Sequence, residues 1–307
     1  MIQADDKRMK TVGIPRSMYY FEYGQLWKSF FEGLGTEVVL SPKTDEKILA
    51  EGIKCASSDL CLPVKTAFGH VKNLIERNPD YIFLPEIRKT NKNCFTCPKS
   101  IGLNSMLKNT FAGSMQKTVS PRLNGNSKKM LSDAAREMGF GSVQTKKALR
   151  AVEKGRKPEN AEPQKREFKV ALIGHSYMLG DNKLNMDMEE RLKKLDVSFI
   201  TPDTFRKKRI SEFAENTGFK RPFWNSAQKS FGFTKYIADN KAADGVIFLS
   251  SFGCGTDALS TDFCREYLKQ HGKIPSLTLS LDEHTAEAGL NTRLEAFRDC
   301  MEFRKMR

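Results

Sequence analysis

Apolar positions along this chain follow two rhythms, and the two alternate. Short apolar runs of strand length occur at Thr11–Pro15, Glu37–Leu40 and Tyr81–Leu84, and again at Lys169–Ile173, Val197–Ile200, Val246–Leu249 and Ser276–Leu279. Between them the apolar residues recur every three or four positions, the helical period. Glu22–Leu34 sets Leu26, Trp27, Phe30, Phe31 and Leu34 on one stripe, and Gly35 ends it. Further helices are predicted over Thr44–Lys54 and Leu62–Arg77, then over Met186–Leu195, Ser226–Lys241, Asp257–Gln270 and Gly289–Glu302. Strands alternating with helices predict an α/β protein of parallel sheets with helices on both faces.

The two halves repeat one grammar. Asp80-Tyr-Ile-Phe-Leu in the first half is matched by Asp244-Gly-Val-Ile-Phe-Leu in the second. Ser127–Gly155 is rich in Lys, Ala and Glu and reads as a helical connecting segment. Lys157–Glu167 (KPENAEPQKRE) is a polar, proline-bearing linker. The expected organisation is a disordered tail over 1–9, an N-terminal α/β lobe with its helical connector over 10–156, the linker at 157–167 and a C-terminal α/β lobe over 168–307.

Candidate chemistry collects after the strands. In an open parallel sheet, ligands gather outside the carboxyl ends of the strands. The loop after Tyr81–Leu84 carries Cys94 and Cys97, and the loop after Val246–Leu249 carries Gly253-Cys254-Gly255. Cys61 lies in DLCLPVK, ahead of a helix. Thiols brought together from such distant segments suit a soft-metal centre, above all an iron–sulfur cluster. Any one of them alone is more commonly a small apolar core residue. Three thiolates leave one iron of a four-iron cube without a protein sulfur, an open position of the kind catalytic metal sites keep. Cys97 and Cys254 adjoin Pro or Gly and Cys61 lies two residues before Pro63, whereas Cys94 forms a C-x-x-C pair with Cys97. A zinc site would take all four, but the sequence lacks a second compact C-x-x-C pair. Cys55, Cys264 and Cys300 fall inside predicted helices and read as structural thiols. His284, with Glu283 beside it, follows the last strand as a candidate acid or base, and Arg16 follows the first as a candidate anion ligand. Of His70 and His175, His175 is better placed because it follows a strand.

Composition narrows this only slightly. Of the 307 residues, 51 are Lys or Arg against 37 Asp or Glu, a formal net charge of +14. That balance fits a nucleic-acid binder, a polyphosphorylated ligand such as coenzyme A, or simply a solvated surface. No nucleic-acid-binding signature accompanies it. The N-terminal MIQADDKRMK lacks the apolar core of a secretory signal, and no apolar run reaches membrane-spanning length, so a cytoplasmic protein with reduced thiols is expected. No G-x-x-x-x-G-K-[ST] loop and no dinucleotide fingerprint is present, which disfavours nucleotide hydrolysis by these residues.

The segments VGIPRSMYYFEYGQLWKSFFEGLGTEVVLSP, CLPVKTAFGHV, DYIFLP, TCPKSIGL, GVIFLSSFGCGTDAL and LDEHTAEAGLNTRLEAF together resemble the 2-hydroxyacyl-CoA dehydratase-like family, in particular its branch related to the acyl-CoA dehydratase activases. The resemblance covers most of residues 10–300. It implies two Rossmann-like lobes with a [4Fe-4S] cluster between them, and Cys61, Cys97 and Cys254 match the family's cysteine positions. Cys94 stands outside that pattern as an accessory, and Thr256 stands where relatives often have Pro. In the dehydratases, two related subunits work with a separate ATP-hydrolysing activase that injects one electron. Reducing the thioester in this way makes loss of water from an unactivated carbon feasible. The implied activity is low-potential electron transfer or reductive dehydration of an acyl-CoA in an anaerobic setting. An ATP-dependent activase is the implied partner, and a second dehydratase-like subunit or another copy of the chain is a further one. A non-catalytic cluster-binding or activase-associated protein is the alternative, and a basic nucleic-acid-binding module a weaker one.

Overall fold

The computed structural model describes residues 8–91, 94–154, 166–204, 212–213 and 222–306. The expected tail apart from residues 8 and 9, and the expected linker apart from residues 166 and 167, lie outside the described residues. The chain divides into two compact units. The first comprises residues up to Ser57, then Lys65–Lys92 and Pro98–Lys157. The second comprises Pro158–Arg307 together with two short segments from early in the chain, Ser58–Val64 and Asn93–Cys97.

In the first unit, strands β1 (Thr11–Ile14), β2 (Glu37–Leu40), β3 (Tyr81–Phe83) and β6 (Lys117–Val119) form a parallel sheet in the order β2-β1-β3-β6. Helices α1 (Tyr20–Gly33), α2 (Glu46–Cys55) and α3 (Leu62–Arg77) connect the first three strands. The predicted apolar stripe of α1 is the core: Trp27, Phe30 and Phe31 pack with Val12, Ile14 and Phe83. Trp27 and Phe31 both meet the Phe83 ring edge-on, at 5.3 and 4.9 Å. The predicted helical connector is two helices, α5 (Ser127–Glu137) and α6 (Ser142–Lys154). Gly139 breaks them at φ +81°, where the Phe140 N–H turns back to the Ala135 carbonyl and closes the last turn. The sequence reading did not include β6, the parallel pair β4 (Glu86–Asn91) and β7 (Arg122–Asn124), the short strand β5 (Cys94–Phe95) or the helix α4 (Pro98–Thr110).

The second unit repeats the plan. Strands β8 (Phe168–Gly174), β9 (Val197–Ile200), β10 (Gly245–Ser251) and β11 (Ser276–Leu281) are all parallel, in the order β9-β8-β10-β11. Helices α9 (Asn225–Asn240), α10 (Gly255–His271) and α11 (Glu287–Lys305) cover the sheet. In both units, then, the second strand lies on one side of the first and the later strands on the other. The repeated Asp at the head of the third strand has a repeated purpose. The Asp80 carboxylate accepts from the Thr11 N–H at 2.7 Å, and that of Asp244 accepts from the Lys169 N–H at 2.8 Å. Each ties the start of the first strand to its neighbour and so sets the register. The Thr11 N–H, outweighing desolvation, holds the Asp80 carboxyl below its ordinary range. Among the described residues no helix is long and apolar enough to cross a membrane.

His70, on α3, is fully buried, with Ser41 Oγ at 2.9 Å from Nδ1 and Thr44 Oγ1 at 3.0 Å from Nε2. Burial, opposed by Asp45 and reinforced by Arg16, pushes its pKa down to about 4. The unfolded chain takes up a proton on this ring near pH 6.5 and the folded chain does not. Its contribution is therefore complete above pH 6.5 and is lost as pH falls toward 4. The expected loss is about 3 kcal/mol across that window, from 1.36 kcal/mol per pKa unit. Urea titrations at pH 7 and pH 4 check it: His70→Gln should flatten the dependence, and an equal slope in wild type and variant would count against this assignment.

Candidate cofactor site

In the second unit the strand order reverses between β8 and β10, and a ligand-binding crevice forms at such a switch point. β8 and β10 pair through Leu249 and Gly174. A Cβ on Gly174 would stand 2.3 Å from the Leu249 carbonyl oxygen, so only glycine allows the strands to approach this closely. The residues leaving these strands meet just beyond. His175 follows β8 directly. After β10 the chain turns through Gly253, at φ +75°, so that Cys254 becomes the residue that starts α10.

Three side chains converge here. His175 Nε2 lies 3.1 Å from an Asp257 carboxylate oxygen and 3.9 Å from Cys254 Sγ, and Thr256 Oγ1 lies 3.3 Å from the same sulfur. Ligand atoms of His175, Cys254 and Asp257 fall within 4.8 Å of one another. Burial on its own would lower the His175 pKa, but the charge of Asp257 and its hydrogen bond, with a further contribution from Cys254, raise it to about 10. His175 is thus an imidazolium at neutral pH. A single metal ion would need it neutral, so the trio reads better as a charge pair supporting the cysteine than as a complete ion site.

Cys61 stands immediately before α3, Cys97 immediately before α4 and Cys254 immediately before α10. Helix starts present free N–H groups and a positive dipole end, a setting that favours anionic sulfur. All three are partly exposed, and all three segments belong to the second unit. The remaining cysteines differ. Cys94 is buried, and its thiol donates to Gln228 Oε1 at 2.7 Å. Its neighbour Phe95 stacks on Phe223, with centroids 4.5 Å apart. Cys264 is fully buried, and burial pushes its thiol up to about 12. Cys55 ends α2, and Cys300 lies exposed on α11. Sulfur is the donor that an iron–sulfur cluster takes, and among the described residues the group of ligand atoms within 4.8 Å of one another contains Cys254 and neither Cys61 nor Cys97.

The acid–base candidates are less concentrated. His284 is exposed in the turn after β11, its N–H donating to an Asp282 carboxylate oxygen at 3.1 Å, and the partly buried Glu283 precedes it. Arg16 belongs to the first unit, where its N–H donates to Ser41 Oγ at 2.8 Å and its buried Nε has no partner among the described residues. Asp257 and Thr256 were missed by sequence reasoning. An acid in the first turn of a helix ordinarily signals only a dipole partner, and their placement two and three residues after Cys254 was the available clue.

The fold is a Rossmann-like α/β arrangement with a cysteine at its switch point, and family comparison narrows the class. Residues 11–205 match the CoA enzyme activase uncharacterised domain (DUF2229), and residues 117–301 match the 2-hydroxyglutaryl-CoA dehydratase D-component. The chain belongs to this dehydratase- and activase-related family. A search of curated proteins gives no match.

Proposed function

We propose that this chain is an iron–sulfur protein acting on an acyl-CoA in the manner of the 2-hydroxyacyl-CoA dehydratases, with Cys61, Cys97 and Cys254 holding a [4Fe-4S] cluster. What carries the reading is the placement of Cys254 at a helix start on the switch point of the second unit, backed by the His175–Asp257 pair. The cluster, when bound, supplies low-potential single electrons. The residues of the chain do the rest. Cys61, Cys97 and Cys254 each stand at a helix start, where the positive dipole end faces a bound anionic group. The His175 imidazolium holds a proton on Nε2 within reach of Cys254, fixed there by Asp257. Thr256 sets a hydroxyl against the same sulfur. Electrons come from a separate ATP-hydrolysing activase, and the net charge of +14 steers an acidic face of that partner.

The test is anaerobic purification followed by iron and acid-labile sulfide analysis and electron paramagnetic resonance. About four irons and four sulfides per chain are expected, reducible with activase and ATP together and not by ferredoxin alone. Stoichiometric zinc with no labile sulfide, or equal reduction without activase and ATP, would sink the reading.

A further inference from the structure

A groove of about 270 Å³ opens beside the start of α10. Its walls include Phe223, Trp224 and Phe231 from one side and Thr256, Leu259 and Phe263 from the other. Phe223, Leu259 and Phe263 are half-exposed or more, although all three are large and apolar. Such exposed apolar surface, gathered into a concavity, marks a binding site. Two observations tie it to the cysteines. Thr256, in the wall, touches Cys254 Sγ. Phe223, in the opposite wall, is stacked on Phe95, which directly follows Cys94. Both cysteine loops therefore adjoin one groove. No Lys, Arg or His is among its described lining residues, whose polar side-chain groups are the hydroxyls of Thr256 and Ser260 and the indole N–H of Trp224.

We propose that this groove receives the tail of the acyl group, and that the chain selects apolar acyl thioesters of about six carbons over dicarboxylic ones such as the glutaryl group named in the matched family. The inference rests on the thioester reading above and adds to it the chemical class of the tail. An apolar tail leaves water for an apolar wall, with each added methylene strengthening binding several-fold. A terminal carboxylate would enter the same wall without a cation to pair it among the described residues, and burying an unpaired charge is strongly unfavourable.

The experiment measures binding of acetyl-CoA, hexanoyl-CoA and glutaryl-CoA to the full chain prepared anaerobically. None of the three has a 2-hydroxyl to lose, so no turnover intervenes. Titration calorimetry gives affinity, and tryptophan fluorescence gives location. The chain has two tryptophans, so Trp27→Phe leaves Trp224, in the groove wall, as the reporter. Hexanoyl-CoA should bind about a hundredfold more tightly than acetyl-CoA, from four more buried methylenes, and should shift Trp224 emission. Glutaryl-CoA should bind no better than acetyl-CoA. Phe263→Arg places a cation in the wall and should reverse the preference, weakening hexanoyl-CoA at least tenfold while strengthening glutaryl-CoA. Leu259→Asp, also at a half-exposed position, should weaken hexanoyl-CoA alone and serves if the arginine variant fails to fold. Equal affinities for the three thioesters, a preference for glutaryl-CoA in the wild type, or an unmoved Trp224 signal would overturn the inference and leave the thioester reading standing. Failure of all three thioesters to bind would overturn both.

Discussion

Cys61→Ser, Cys97→Ser and Cys254→Ser are each expected to lose most of the iron held by the anaerobically prepared chain, whereas Cys264→Ser and Cys300→Ser keep it. The hydroxyl is a harder and less acidic donor than the thiol and holds cluster iron poorly. Each of the three cysteines also stands at a helix start. Cys264 is sealed in the core with its thiol raised to about 12, so it remains protonated and out of reach. Cys94→Ser distinguishes a cluster from zinc. A zinc site built on four cysteines needs Cys94, but its sulfur is turned to Gln228 and donates a hydrogen bond that a serine hydroxyl can also donate. Iron content should therefore survive Cys94→Ser. Full iron in all three ligand variants, or loss in Cys94→Ser as complete as in Cys97→Ser, would overturn the ligand assignment.

Removing the partner of the buried imidazolium should have the largest effect on stability. Asp257→Asn takes away the charge that holds the His175 pKa at about 10. Burial is then opposed only by the smaller contribution of Cys254, and the ring's pKa should fall. A raised pKa contributes stability that is complete below the unfolded value near 6.5 and is lost as pH rises through 10. At pH 7 the variant should be less stable by about 4 kcal/mol, from three pKa units at 1.36 kcal/mol each. Urea unfolding of the reduced, cluster-free chain, with histidine NMR titration, checks both quantities. In a double-mutant cycle, Asp257→Asn with His175→Gln should lose far less than the two single losses added, because no charge is then left buried without its partner. Additive losses, or a His175 ring still protonated at pH 9 in Asp257→Asn, would contradict this account.

Much of the fold was legible because it rests on dense apolar signals. Tyr81–Phe83, Val197–Ile200 and α3 at Leu62–Arg77 lie within a residue of their expected bounds, since buried parallel strands read as apolar runs. The pair of Asp80 and Asp244 was visible as a repeat, but its purpose as a strand clamp was not, because a hydrogen bond across 69 or 75 residues leaves no local trace. Glu86–Asn91 was missed because Glu-Ile-Arg-Lys-Thr-Asn lacks strand-like apolar character, and α4 because Pro98–Thr110 has hardly any apolar face. At the candidate site the cysteines stood out by residue type. The convergence of His175 and Asp257 arises from the pairing of β8 with β10, which no spacing encodes.

The two short segments that join the second unit from early in the chain, Ser58–Val64 and Asn93–Cys97, have a consequence for how the protein is made. A ribosome releases Cys61 and Cys97 well before the strand that leads to Cys254. If all three hold one cofactor, the site cannot exist on a nascent first half, nor on a separately expressed second half. Assembly of the centre must then wait for a finished polypeptide, and insertion becomes the last event in the protein's maturation.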